Sequence, residues 1–107
     1  DLSTCTHYGF KAYSSALQTI VTPAQNVNGI RVPRAIVVGA AVLSYKASAP
    51  SEAYDANSSW LSLGNQNADF ILTKEVEMVK IPAGMGLYFQ GELASLPSYV
   101  SVFYEVL

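Results

Sequence analysis

Charge is scarce in this chain. Only 13% of its 107 residues are Asp, Glu, Lys or Arg, where globular chains carry about a quarter. Lys and Arg number six and form no run, so nucleic-acid binding by counterion release has no evident basis. The longest uninterrupted apolar run, Ala35 to Leu43, falls far short of a membrane span. No signal-peptide pattern is present. A single cysteine, Cys5, excludes an internal disulfide and fits folding in a reducing cytosol. One histidine, His7, leaves too few soft ligands for a zinc site. No segment carries a 3.6-residue apolar stripe with caps, which argues against helices.

What is abundant is apolar and aromatic surface. Half the residues are hydrophobic, with seven Tyr and four Phe. That length and apolar content can build one core without disulfide or metal. The net charge is −2. Such low charge means that strands are buried on both faces or that the surface joins an assembly. The chain opens on Asp1 rather than Met, as expected of a processed chain or a part of something longer.

The pattern is strand, turn, strand throughout. LQTIVT, Leu17 to Thr22, alternates Leu17, Thr19 and Val21 against Gln18, Ile20 and Thr22. PAQNVNG, Pro23 to Gly29, is a loop, with Asn28-Gly29 as a tight-turn dipeptide. Pro33 cannot donate to a ladder and marks an edge or a bend. AIVVGAAVL, Ala35 to Leu43, is expected as one strand buried on both faces, with a bulge or close approach at Gly39. Ser48 to Ser59 is a polar surface loop, WLSL (Trp60 to Leu63) a short strand, and ADFILT (Ala68 to Thr73) another. EVEMVKI, Glu75 to Ile81, changes its alternation near Met78-Val79, where a bulge is expected. YVSVFYEVL puts Val100, Val102, Tyr104 and Val106 on one face and Tyr99, Ser101, Phe103, Glu105 and Leu107 on the other. A terminal strand apolar on both sides belongs at the centre of a sheet. Short, evenly spaced strands make the fold class all-β, a single antiparallel β-sandwich of jelly-roll type over residues 16–107.

VKIPAGMGLYFQGE, Val79 to Glu92, sets Pro82, Gly84 and Gly86 between two apolar runs. Those residues suit a sheet corner: Pro fixes φ and Gly permits positive φ. GMG is no phosphate loop, because neither Lys-Ser/Thr nor a helix follows.

No catalytic set is evident. Cys5 and His7 share a face if extended, but a nucleophilic pair needs a third orienting group, and none is apparent. Glu75 and Glu77 share a strand face that reads as solvated rather than as a calcium site. Asp55-Ala-Asn57 lacks the Gly and distal Glu of a calcium loop, and Asn57-Ser58-Ser59 is a glycosylation sequon that matters only on a secretory route. Tyr54 and Trp60 are the candidate glycan contacts, with core packing as the alternative for Trp60. No cofactor is expected.

TIVTPAQNVNGIRV (Thr19 to Val32), LSYKASAP (Leu43 to Pro50), IPAGMGLYF (Ile81 to Phe89) and YEVL (Tyr104 to Leu107) together resemble small β-structured virion proteins of tailed bacteriophages and prophages, from about residue 17 to the end. The resemblance implies a non-enzymatic structural part of a virion: a tail or fibre module, a capsid decoration or a surface-binding tip. It supplies no catalytic residues. Expected partners are further copies of the chain, as a trimer, other virion proteins and, for a fibre tip, host surface glycan, with neither nucleic acid nor membrane insertion. Tyr99, Phe103 and Leu107 are the expected oligomer contacts. Residues 1–15 lie outside the resemblance and are expected as an arm, too aromatic for a free tail, that places Phe10 and Tyr13 against a neighbouring subunit.

Overall fold

The computed structural model describes residues 3–53, 55–63, 70–72 and 79–107. Nine strands are described: β1 Thr6–Ala12, β2 Gln18–Val21, β3 Ile30–Val38, β4 Ala41–Lys46, β5 Ser59–Leu63, β6 Phe70–Leu72, β7 Val79–Ile81, β8 Gly86–Gly91 and β9 Ser98–Val106. They form two antiparallel sheets packed as a β-sandwich. The first runs β1-β9-β3-β6, with β7 also paired to β3, and the second runs β2-β8-β4-β5. The pairings nest: β1 with β9, β2 with β8, β3 with β6 and β7, and β4 with β5. β9 also pairs with β3 and β8 with β4, which completes the two sheets among the described residues.

The core lies between the sheets, where alternate residues point inward. Ile30, Val32, Ala35, Val37, Val100 and Val102 from the first sheet meet Ala41, Leu43, Leu87 and Phe89 from the second, all fully buried or nearly so. β9 occupies the centre of its sheet, as its two-sided apolar character leads one to expect.

Several expectations need correction. The run Ala35 to Leu43 is two strands, not one. It breaks at Gly39, whose φ of +87° belongs to the left-handed region. β3 ends in one sheet and β4 begins in the other. A Cβ at Gly39 would collide with the Pro97 carbonyl, so the close approach expected there is real. Of the edge or bend expected at Pro33, the structure takes the bend. Pro33 is buried in central strand β3, at a register shift between Arg31 and Arg34. The bulge removes the need for its missing N–H. It also keeps the inward phase: Val32 and Ala35 both face the core, so Arg31 and Arg34, three apart, both face out. β2 departs from simple alternation through a shift between Thr19 and Val21, and both Ile20 and Val21 pack on the core. Asn28-Gly29 ends the expected loop between β2 and β3. Only Gly29 has positive φ, at +107°, and the loop carries the chain between sheets.

The N-terminal arm is the largest correction. Residues 6–12 are β1, paired with β9 through seven registered positions from Thr6↔Tyr104 to Ala12↔Ser98. Tyr8 and Phe10 lie opposite Val102 and Val100 and pack against the core. Two of the segment's aromatics, Tyr8 and Phe10, are thus satisfied within the chain itself, while Tyr13 is exposed. The bulge expected at Met78, and Glu75 and Glu77, lie outside the described residues.

Candidate functional site

The corner read from IPAGMG is held from below by a residue the sequence did not single out. Asn26 is 1% exposed. Its Nδ2 donates to the carbonyls of Pro82 and Met85, each at 2.8 Å. Its Oδ1 accepts from the Gly29 N–H at 2.7 Å, and its own carbonyl accepts from the Gly84 N–H at 2.8 Å. Gly84 has φ +85°, and Gly86 does not share that conformation. The stretch is a structural corner.

Asp55 fastens a second loop. Its Oδ2 accepts from Lys46 Nζ at 3.1 Å and from the Ser51 N–H at 3.0 Å, and its Oδ1 from the Asn57 N–H at 2.8 Å. These backbone donors, then Lys46, hold its pKa at about 2 rather than the usual 3.8. The carboxylate is therefore spent on the loop, which explains Asp55-Ala-Asn57 without calcium.

Cys5 and His7 engage different neighbours. Arg31 Nη2 donates to Cys5 Sγ at 3.2 Å, and Arg31 Nε donates to Glu105 Oε1 at 3.0 Å. That guanidinium, then Thr4, lowers the Glu105 pKa. His7 Nε2 and Ser101 Oγ share a 2.7 Å hydrogen bond, and the His7 ring lies 4.6 Å from that of Phe103. Among the described residues no group of three or more His, Cys, Asp or Glu is arranged to hold a metal.

These contacts belong to the outer face of the five-stranded sheet. Ala35, Val37, Val100 and Val102 face the core, so their strand neighbours face out. The registers then fix three rows: Arg34–Phe103–His7, Ile36–Ser101–Gly9 and Val38–Tyr99–Lys11. Ile36, Val38 and Phe103 are half-buried, and Tyr99 is 39% exposed. The centre of this face is apolar and its rim is basic.

The expected oligomer contacts divide. Tyr99 and Phe103 stand together on the outer face. Leu107 is 43% exposed just past β9, where its N–H donates to the Gly29 carbonyl at 2.9 Å. Tyr13 is 69% exposed after β1. Phe10 is a correction: it points inward, its ring edge-on to Phe89 with centroids 6.1 Å apart, because alternation along β1 puts it on the face of Tyr8. Ile36 and Val38 join the face without having been anticipated; their signal was hidden in a run with no polar residue. Tyr54 and the Trp60 side chain lie outside the described residues; the Trp60 backbone is on β5, opposite Ser44.

A cavity of 220 Å³ is lined by Ser15, Ser51, Glu52, Ala53, Gln90, Gly91 and Glu92. Comparison of the chain with family models, curated proteins and solved structures returns no match.

Proposed function

We propose that this chain is a non-enzymatic assembly module, a jelly roll that self-associates as a trimer and serves as a structural part of a bacteriophage virion. The observation that carries the reading is the outer face of the five-stranded sheet, where Phe103, Tyr99, Ile36 and Val38 form an apolar centre on a chain so poor in charge. β9 carries apolar side chains on its outer face as well as its inner one, and the outer ones are left partly exposed, as a subunit surface needs. Taking β6 and β7 as one interrupted strand makes the nested pairing that of a jelly roll, an architecture that recurs in capsid and lectin domains. The likeness of the turn segments to phage virion proteins points the same way. Extents of 36 × 27 × 19 Å allow a face of the roughly 800 Å² per partner that a stable interface buries.

The charge on the face favours a ring over a two-fold dimer. Lys11 and Arg34 are exposed there. The carboxylate among its described residues, Glu105, is engaged by Arg31. Two such faces meeting about a two-fold axis would oppose like charges, whereas a head-to-tail contact can close a ring. Multi-angle light scattering of the purified chain at micromolar concentration tests this. The expected mass is three times that of the monomer, and Phe103→Lys should give a monomer with an unchanged thermal midpoint. A monomeric wild type overturns the assembly reading. Mass spectrometry of purified virions from cells carrying the gene tests the location.

A further inference from the structure

We propose that the cavity between Ser15, the β4–β5 loop and the end of β8 binds a single neutral sugar ring. Five of its seven lining residues are polar: Ser15, Ser51, Glu52, Gln90 and Glu92. None is basic, which disfavours anions such as phosphate or a carboxylated sugar. The described residues offer no convergent group of three acids for a metal ion. What remains is a ligand rich in donors and without charge. The 220 Å³ volume has room for one monosaccharide ring.

Gln90 gives the cavity its specificity. Its Nε2 donates to the Ser15 carbonyl at 3.0 Å, which fixes the amide orientation. Its Oε1 is then buried with no hydrogen-bond partner. Buried acceptors are nearly always satisfied, so an orphan of this kind needs an explanation. A ring hydroxyl that accepts from Nε2 in place of the Ser15 carbonyl would release the amide to turn Oε1 toward the sugar, while Glu52 and Glu92, both exposed, accept from others. The walls are already in place. Asp55 ties down Ser51 through both its N–H and its hydroxyl, at 3.0 and 3.3 Å, and the Glu92 N–H donates to the Ala40 carbonyl at 2.7 Å. Such preorganisation lowers the ordering cost of binding. The site lies on the second sheet and does not depend on whether the chain assembles.

The test uses the full chain labelled with nitrogen-15 and titrated separately with glucose, galactose, mannose and N-acetylglucosamine to about 50 mM, well above a millimolar Kd. At least one sugar should shift the amides of Ser15, Ser51, Glu52, Ala53, Gln90, Gly91 and Glu92 saturably. Gln90→Met and Glu92→Gln should each weaken that sugar about tenfold or more. Glu52→Ala, at an exposed loop position, supplies a third variant should Gln90→Met fold poorly, with the same expected direction. No saturable shift with any of the four, shifts that cluster elsewhere, or affinities unchanged in the variants would overturn the proposal.

Discussion

Asn26 and Asp55 are buried almost equally, 1% and 4% exposed, and each fastens a loop. They do so by different means. Asn26 is neutral and ties residues 56 and 59 positions away, Pro82 and Met85, to its own loop. Asp55 is charged and gathers donors from its own loop and from Lys46 at the end of β4. The first holds two distant segments of the sandwich together and is indifferent to pH. The second holds one loop against one strand and depends on ionisation. A neutral hub suits the corner, where one side chain must both donate to carbonyls and accept from an N–H. A carboxylate suits the loop, where Lys46 is near.

The comparison is broken most severely at Asn26. Asn26→Ala removes both corner bonds and the Gly29 contact and leaves the buried Gly29 N–H and the part-buried Pro82 and Met85 carbonyls without this partner. Each such group costs about 1–3 kcal/mol, so a loss of about 3–5 kcal/mol is expected from urea unfolding, a large part of a typical domain's stability. A loss below about 1 kcal/mol would show that strand packing alone holds the corner. Asn26→Asp sharpens the point, because the carboxylate keeps the acceptor to Gly29 but cannot donate to Pro82 and Met85.

Asp55 is expected to matter less, and its effect carries a pH signature. Its folded pKa lies near 2, below the ordinary 3.8. The unfolded chain therefore binds a proton first as pH falls. The stabilisation is fully present above about 4 and is lost as the pH drops through 2. Thermal midpoints of the wild type and Asp55→Asn should differ at pH 7 and converge between pH 4 and pH 2. A difference that persists at pH 2 would mean that shape, not ionisation, fastens the loop. Asn26→Ala should show no such convergence.

The same contrast explains what the sequence made legible. Alternation in YVSVFYEVL fixed both the faces of β9 and its central place, because each residue's side follows from its neighbours alone. The corner at Pro82 to Gly86 was equally readable, since Pro and Gly announce their torsions. β1 was misjudged although Tyr8 and Phe10 alternate correctly with His7 and Lys11; Gly9 between them and the polar start concealed a strand that only pairing with β9 confirms. The break at Gly39 was hidden because apolar residues on both sides serve two different sheets. Asn26 could not be identified at all. Its partners lie more than fifty residues away, and nothing local separates it from Asn28. The cavity is likewise assembled from three distant segments, Ser15, Ser51–Ala53 and Gln90–Glu92.

The smallest effect is expected at Gly84, and it isolates torsion from contact. Gly39 and Gly84 share nearly the same φ, +87° and +85°. A Cβ at Gly39 meets the Pro97 carbonyl, whereas a Cβ at Gly84 meets nothing within 4 Å. Gly84→Ala should therefore cost only the left-handed strain, about 1–2 kcal/mol, and its N–H would still donate to Asn26. Gly39→Ala adds a backbone clash between β3–β4 and the segment before β9, and should cost clearly more. Urea unfolding of the two variants side by side measures the difference. Equal losses would mean that the Pro97 segment yields freely, and that the close approach at Gly39 contributes nothing beyond its torsion.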